Sequence, residues 1–213
     1  MDSVGLMLHI YRREMANLAV IVGIVKSLTN LTISYQIITK KDATKQSAVG
    51  TVSSLSLAIL GVRHACLACD QTLVCTHILQ IIVDGINLSV HFVYTNNKWR
   101  DVLGPLIKGF FMVLAGLGYA QFEDPDTVCN RFGTCLGALS IVTLASPFTK
   151  LRQMIRDNEC GAINVIITTL SMTASFLWVL VALAANNPTM LVQNICGLLL
   201  NAIYVTIYIR YKK

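Results

Sequence analysis

Charge is what this sequence has least of. Only 13% of its 213 residues are Asp, Glu, Lys or Arg, against roughly 25% in ordinary soluble domains. With 54% hydrophobic residues and a mean hydropathy of +0.62, this shortage excludes a typical soluble protein. The apolar residues lie in several runs of about 20, the length that an α-helix needs to cross a bilayer. The sequence therefore predicts an all-α integral membrane protein.

Motifs of catalysis and nucleic-acid binding are also missing. The sequence has no glycine-rich phosphate loop, no paired-carboxylate site and no nucleophile elbow, and no basic stripe interleaved with aromatic residues. Its seven cysteines form no zinc pattern. Five of them fall toward one side of the predicted spans, and no bridge is predicted between them: Cys66, Cys69, Cys75, Cys129 and Cys135. We therefore expect no enzyme activity, cofactor, metal or nucleic-acid partner.

Seven transmembrane helices account for the apolar runs. They are predicted at 15–38, 48–69, 71–95, 101–121, 132–152, 161–186 and 189–209. The start of the chain lacks the basic segment and the small-residue cleavage site of a signal peptide, so residues 1–14 are predicted to be a tail before a retained span. Residues 210–213 form a second tail. The connections between the second and third spans, and between the sixth and seventh, are so short that each pair must form a hairpin.

Lysine and arginine residues lie mainly on one side of these spans. Eleven of the seventeen follow the first, third, fifth and seventh helices: Lys40, Lys41, Lys45, Lys98, Arg100, Lys150, Arg152, Arg156, Arg210, Lys212 and Lys213. The opposite side holds Arg12, Arg13 and Arg131, beside an acidic loop. By the positive-inside rule the C-terminus is predicted to be cytoplasmic and the N-terminus extracellular or lumenal. The plasma membrane and an internal membrane such as the Golgi both fit this topology.

The spans form an internal repeat. A shift of 117 residues, comparing 60–94 with 177–211, gives eight identities in thirty-five positions: Leu60, Val62, Ala65, Ala68, Thr72, Ile78, Ile86 and Tyr94. Because a single span lies between the two three-helix units, both units have the same orientation in the membrane. The predicted architecture is two parallel three-helix bundles, 15–95 and 132–209, joined by a linker helix at 101–121 (3+1+3). Parallel repeats are typical of transporters whose site lies at the repeat interface near mid-bilayer.

The second repeat carries a helix-ending proline, a basic turn, a tryptophan and an Asn-x-x-Gly motif. In chain order these are Ser146-Pro147, Lys150 to Arg156, Trp178, and Asn194 with Gly197. Together with the 3+1+3 layout, they resemble the SWEET sugar-transporter family, also called MtN3/saliva, which is built from parallel repeats. The resemblance implies a facilitative carrier (a uniporter) of small sugars working by alternating access, and homo-oligomers, commonly trimers.

The resemblance also implies a substrate site. Trp178 offers a flat apolar face on which a sugar ring can stack, and Asn194 offers amide donors and an acceptor for hydroxyl groups. The repeat offset places Gly61 opposite Trp178 and His77 opposite Asn194. The gap at Gly61 either enlarges the site or lets another residue enter it. The alternatives are a tryptophan of the membrane interface, an asparagine that bonds another helix and a packed histidine.

The family's gate prolines are mostly replaced. Pro147 is kept, and it serves either as a hinge or as a simple helix end. Leu31 stands where the first repeat of the family has a proline, and Asn164 stands where the second repeat has its other one. The gate is therefore predicted to be lopsided.

Three charged residues fall inside predicted spans. Asp84 lies near the middle of the third helix, Lys26 lies at similar depth in the first, and Arg63 lies nearer the outer end of the second. Charges within a bilayer are costly and mark functional sites by default. We predict that Lys26 or Arg63 neutralises Asp84 as a structural pair, and a proton relay is the alternative.

Three functions remain open on these residues. The leading one is sugar transport. The second is transport of another small solute, charged or proton-coupled, suggested by Asp84, His77 and Arg63. The third is a membrane scaffold or receptor that kept the bundle and lost transport. The expected surroundings in each case are the lipid bilayer and further copies of the chain.

Overall fold

The computed structural model describes residues 10–43, 48–145 and 165–211. Within these ranges, seven stretches are long and apolar enough to span a membrane, as predicted. The helices are α1 (Arg12–Thr29), α2 (Leu31–Lys40), α3 (Ala48–Leu67), α4 (Gln71–Tyr94), a π-helical turn (Trp99–Leu103), α5 (Gly104–Phe122), α6 (Pro125–Ala145), α7 (Val165–Ala184) and α8 (Pro188–Tyr211). The first span consists of α1 and α2 together, and the fourth consists of the π-helical turn followed by α5.

The fifth span begins earlier than predicted, at Pro125 instead of residue 132. Asp124 explains the early start, because its Oδ1 accepts a hydrogen bond from the Asp126 amide at 3.1 Å and its carbonyl accepts one from the Val128 amide at 2.9 Å. Proline suits the first position of a helix, where its missing N–H is not needed. The acidic stretch that was predicted as a loop is therefore a helix start.

The two hairpins, α3–α4 and α7–α8, match each other in their helix bounds at the offset of 117 residues. Shifting α3 by 117 residues gives the bounds of α7, 165–184, and shifting α4 gives those of α8, 188–211. The turns also match, because Cys69 (φ 53°) and Asn186 (φ 49°) are both left-handed and differ by the same offset. Non-glycine residues adopt this conformation rarely, so its occurrence at equivalent positions marks one turn used twice.

The hydrogen bonds of the two turns repeat as well. The Asp70 amide donates to the Ala65 carbonyl at 3.0 Å, and the Asn187 amide donates to the Ala182 carbonyl at 3.0 Å. Each turn ends in a side-chain cap that satisfies an otherwise unbonded N–H of the next helix. Asp70 Oδ1 accepts from the Leu73 amide at 3.1 Å, and Asn187 Oδ1 accepts from the Met190 amide at 3.0 Å. The repeat is far closer in backbone than in sequence.

The described residues form two compact units. One unit comprises residues 27–136, where α3 packs against α4 and α5, and α2 packs against α4. Its apolar core is built on α3, α5 and the start of α6 and includes Leu60, Val113, Ala120, Val128 and Phe132. The other unit comprises the residues before Ser27 and after Leu136, and within it α7 packs against α8.

Many large apolar side chains point away from the protein. On α4, Ile78, Ile82 and Ile86 are 45–55% exposed, and on α5 Phe110 and Phe111 are exposed as well. Such a surface is costly in water but matches the hydrocarbon interior of a bilayer. The helices therefore present apolar faces outward and, on α4, a polar face inward.

Candidate functional site

Trp178 and Asn194 lie at one depth in the second repeat. Trp178 stands six residues before Ala184, where α7 ends, and Asn194 stands six residues after Pro188, where α8 begins. With a rise of 1.5 Å per residue, both lie about 9 Å from the turn that joins the two helices. Their common depth would allow both to line one site, which stays a prediction.

Asn194 bonds within its own helix. Its Nδ2 donates to the Met190 carbonyl at 2.8 Å, and within the described residues its side chain makes no hydrogen bond to another helix. The structure therefore does not assign Asn194 the interhelical bond that was its alternative role. One turn further along α8, a side chain at Gly197 would lie 3.0 Å from Ser175 Oγ, so glycine lets α7 and α8 approach closely beside Asn194.

Gly61 and His77 occupy the corresponding positions in the first repeat. Gly61 lies six residues before Leu67, and His77 lies six residues after Gln71. The imidazole of His77 covers Gly61 so closely that a Cβ there would lie 2.6 to 2.8 Å from three ring atoms. The space left by Gly61 is therefore filled by His77. Of the two outcomes that the sequence allowed at Gly61, the structure shows the entry of another residue.

A polar stripe runs along α4 that sequence reasoning found only in part. Its members recur every three or four residues and so share one helix face: His77, Gln80, Asp84, Asn87 and His91. The last three are 2–3% exposed. Gln80 and Asn87 were missed because each polar residue was considered alone, and their helical spacing is the signal that would have revealed them.

Serines of the first span bind this stripe. Ser27 Oγ donates to Gln80 Oε1 at 2.5 Å, and Ser34 Oγ donates to Asn87 Oδ1. From α3, Ser54 Oγ accepts from Gln80 Nε2 at 3.3 Å. Both serine pairs are 53 residues apart, so the first span runs parallel to α4 in a fixed register. Hydrogen bonds of this kind hold polar residues inside helix bundles.

The second repeat has a stripe at the equivalent positions of α8, but without aspartate or histidine. The offset of 117 converts the α4 stripe into Asn194, Gly197, Asn201, Tyr204 and Tyr208. Asn201 is 7% exposed, and its Nδ2 donates to the Gly197 carbonyl at 2.7 Å. Leu144 lies beside Gly197 as Ser27 lies beside Gln80, so the offset also holds for the first helix of each repeat.

The positions of Arg63 and Asp84 along the α3–α4 hairpin test one of the two predicted ion pairs. Arg63 lies four residues before the end of α3 at Leu67, whereas Asp84 lies thirteen residues after the start of α4 at Gln71. The difference of nine residues corresponds to about 13 Å along the hairpin, too far for a direct arginine contact. The pairing of Asp84 with Lys26 stays a prediction.

The gate residues are described only in part. Pro147 and Asn164 lie outside the described residues. Leu31 begins α2, directly after a break in the first span, and the break is centred on Asn30. There the Asn30 amide donates to the Ser27 carbonyl, and the Ile33 amide donates to the Asn30 carbonyl, both at 3.1 Å. These tighter three-residue bonds mark hinges within helices, and the 117-residue offset pairs Asn30 with Pro147.

A further polar group lies where α5 is followed by α6. Glu123 accepts a bond from Arg131 Nη1 at 2.7 Å. A hydrogen bond from Tyr119, followed by the charge of Arg131, lowers the pKa of Glu123. Nearby, Tyr119 stacks on Phe132 with ring centroids 6.5 Å apart, and the His64 ring lies close to Gly133. This group ties α3, α5 and α6 together and is distinct from the α4 stripe.

These features define a class: an integral membrane protein with seven spans and two parallel three-helix repeats around a linker helix. Residues 130–213 match a family model described as "Sugar efflux transporter for intercellular exchange", MtN3/saliva. The sugar transporter SWEET1 of Dictyostelium discoideum is 21% identical over 183 residues, which cover 80% of each chain. A solved structure of a eukaryotic SWEET transporter superimposes with a TM-score of 0.79 over 96% of this chain and 98% of that one, at 15% identity.

The chain is similar to the SWEET family in sequence and in fold. The family model matches its second repeat, while the likeness in fold extends over nearly the whole chain. The matching family and the relative are described as transporters, which agrees with the expectation of a transporter and not an enzyme.

Proposed function

We propose that this protein carries small sugars across a membrane by facilitative transport. The observation that carries the proposal is the placement of Trp178 and Asn194 at one depth of the α7–α8 hairpin, within the residues that match the sugar-transporter family. The name of the D. discoideum relative, a sugar transporter, supports the same substrate class.

The proposed sugar contacts follow from side-chain chemistry. The indole of Trp178 provides a flat apolar face for the C–H groups of a pyranose ring, while its N–H can bond to a hydroxyl. Asn194 directs its amide Nδ2 to Met190, which orients the carbonyl oxygen as an acceptor for a sugar hydroxyl. From the first repeat, His77 offers a ring nitrogen as donor or acceptor, held in place by its contact with Gly61.

The proposed mechanism is alternating access by the two repeats. The three-helix bundles would rock so that a site near mid-bilayer opens first to one side and then to the other. The break at Asn30 in the first repeat and Pro147 in the second are the proposed bending points. Asn30 is a neighbour of Leu31, where the family pattern predicts the first hinge, so the first repeat bends without a proline. Transport runs down the sugar gradient as a uniport.

The topology and assembly belong to the same proposal. The distribution of lysine and arginine supports a cytoplasmic C-terminus and an extracellular or lumenal N-terminus. The plasma membrane or a Golgi-type internal membrane is the proposed location. The resemblance to the family supports a homo-oligomer.

The test is uptake of radiolabelled D-glucose and sucrose into liposomes that contain the purified protein. We expect time-dependent entry that stops when the inside and outside concentrations are equal. Replacing Trp178 with alanine should lower the initial rate at least about tenfold, because a central aromatic contact contributes about 2 kcal/mol or more. The matched control is Trp99→Ala, since Trp99 is the other tryptophan of the chain and is 65% exposed.

Two results would contradict the proposal. The first is wild-type protein that moves neither sugar although it is monodisperse, which would favour the scaffold or receptor function. The second is full transport by Trp178→Ala, which would remove the proposed site. A second candidate, a carrier of a charged solute, is favoured by the burial of Asp84. Inhibition of glucose entry by glucosamine but not by galactose would support it.

A further inference from the structure

Asp84 carries the carboxyl group of the α4 stripe, and this group lies deep in the predicted span. It is 3% exposed and lies thirteen residues into a helix of 24 residues, which puts it about 20 Å from the hairpin turn. A charged carboxylate at such a depth in a membrane costs several kcal/mol, and such a group marks a functional site by default.

The second repeat shows what the fold itself requires at this position. The equivalent of Asp84 is Asn201, which is buried to a similar extent and satisfies its amide by bonding the Gly197 carbonyl of its own helix. Asparagine has nearly the shape of aspartate but cannot release a proton. The helix register, the turn and the packing of α8 are therefore kept with a neutral residue, so the architecture does not need the carboxyl group.

The same difference extends to the neighbouring ionisable residues of the first repeat. Each of them is replaced by a neutral residue 117 positions later. The pairs are Lys26 with Thr143, Arg63 with Leu180, His64 with Val181, His77 with Asn194, Asp84 with Asn201, and His91 with Tyr208. At these six pairs of positions, the charged residues and histidines thus lie only in the first repeat.

The groups that face Asp84 can be placed by register. On α4, His77 and His91 each lie seven residues away, about 10 Å along the axis on opposite sides. On α3, Arg63 lies about 13 Å toward the turn, with His64 beside it. On α2, Lys40 lies six residues beyond Ser34, the partner of Asn87, and hence about 13 Å toward the other end.

Two further groups complete these surroundings. The π-helical turn contributes Arg100 and Asp101 beyond the end of α4. Lys26 directly precedes Ser27, which bonds Gln80. Lys26 is therefore the basic residue next in sequence to a serine that contacts the α4 stripe.

We propose that the first repeat holds a proton-binding site, and that Asp84 must carry a proton for the carrier to change between its two conformations. This rests on the proposed sugar transport and adds the group that controls its rate. During the rocking of the bundles the surroundings of α4 change, and a negative charge at mid-bilayer would have to be moved between environments of different dielectric. Protonation of Asp84 removes that charge and its cost. The sugar still moves down its own gradient.

A requirement for protonated Asp84 predicts how the exchange rate depends on pH. The protonated fraction of Asp84 falls about tenfold for each pH unit above the pKa of its carboxyl group. The exchange rate of the wild-type protein should therefore fall as the pH rises, with the same slope. Asp84→Asn, which copies the residue of the second repeat, mimics the protonated form and should transport at one rate across the range.

The experiment is equilibrium exchange of radiolabelled D-glucose in proteoliposomes, with the same pH inside and outside, from pH 5 to pH 8. Wild-type exchange that slows at least about tenfold over this range, with an unchanging rate for Asp84→Asn, supports the proposal. A wild-type rate independent of pH overturns it, and so does an Asp84→Asn profile equal to the wild type. The matched control is His91→Tyr, which copies Tyr208 and should keep the wild-type profile. A profile made flat by His91→Tyr would assign the proton to His91 and overturn the proposal.

A second measurement separates the proton site from transport. The infrared C=O stretching band of a protonated buried carboxyl group should appear in the wild type on acidification and be absent from Asp84→Asn. If the wild type exchanges no glucose at any pH, the proposed function fails, and the infrared band alone decides on the site. If Asp84→Asn is not recovered as a monodisperse protein, Asp84→Glu replaces it: a shifted pH midpoint supports the proposal, and an unchanged profile contradicts it.

Discussion

The two repeats of this protein share a backbone and differ in chemistry. The hairpins α3–α4 and α7–α8 have the same helix lengths, the same left-handed turn residue and the same capping bonds. On their third helices, however, one stripe has Asp84 between two histidines, and the other has Asn201 between asparagine and tyrosine. The fold is set by turns, caps and apolar faces, so the inner stripe was free to diverge. The second repeat holds the proposed sugar-binding residues Trp178 and Asn194, and the first holds the ionisable ones.

The largest expected effect on stability comes from giving the first repeat the tryptophan that the second repeat has at the equivalent position, Trp178. Gly61→Trp should strongly destabilise the fold, because His77 already occupies the space of even a Cβ at residue 61 and its ring would have to move. Overpacking of a tight site costs about 1–3 kcal/mol for smaller insertions, and an indole is much larger. Loss of the monodisperse peak in fluorescence-detected size-exclusion chromatography would show this.

The control for that change is Gly85→Ala, since a Cβ at Gly85 meets no atom within 4 Å. It should leave the melting midpoint of the purified protein nearly unchanged. Removing the histidine in the double variant Gly61→Ala with His77→Asn should recover stability that Gly61→Ala alone loses. Equal losses in the single and double variants would show that the His77 contact is not what constrains Gly61.

A smaller effect is expected from removing the acceptor of the second repeat. Asn194→Ala should lower the initial rate of glucose uptake by about fivefold to a hundredfold, the range for losing a hydrogen bond worth about 1–3 kcal/mol. Protein stability should change little, because the structure gives the Asn194 side chain only a bond to its own helix. Asn186→Ala, in the turn, serves as the control for transport, and equal uptake by both variants would contradict the assigned role.

A third change tests the polar contacts that belong to the first repeat alone. Ser34→Ala removes the hydroxyl that donates to the buried Asn87 and should destabilise the protein by about 1–3 kcal/mol. Thr32→Ala is the matched control, because its exposed hydroxyl donates to the Thr29 carbonyl at the end of α1. The melting midpoints of the two variants in detergent measure the difference, and the account fails here if they are the same.

The smallest expected effect concerns what the repeats share. Asp70→Ala and Asn187→Ala each remove a helix cap and should each cost about 0.5–2 kcal/mol. Both caps bond the amide three residues ahead at similar distances, 3.1 and 3.0 Å, so the two losses should be similar. The loss at Asp70 should be the larger one, because Asp70 Oδ1 also accepts from the Thr72 amide at 3.0 Å. Melting midpoints that differ strongly would mean that the turns are alike in shape but not in energy.

Much of the fold could be predicted from the sequence. Apolar runs predict spans because the bilayer requires about 20 apolar residues, and the offset of 117 predicted the repeat although only eight of thirty-five residues were identical. The early start of α6 was missed because Pro125 and its acidic neighbours are common in loops. The break at Asn30 was missed because asparagine, unlike proline, does not by itself end a helix.

The candidate site was predicted less completely. Trp178 and Asn194 were found through the family motif, and their common depth follows from the short turn between α7 and α8. The stripe partners Gln80 and Asn87 were not found, because their role depends on serines 53 residues away. The contact between His77 and Gly61 was left open, since the absence of a side chain does not tell which neighbour fills the space.

The central claim is that sugar binds against Trp178. The chain has only two tryptophans, Trp99 and Trp178, so Trp99→Phe leaves Trp178 as the single reporter of tryptophan fluorescence. Titrating this variant with D-glucose and sucrose should give a saturable change in emission with at least one of them, while Trp178→Phe, which keeps Trp99, should give none. A Trp178 signal that no sugar alters would contradict the account, even if the protein were folded and embedded in the membrane.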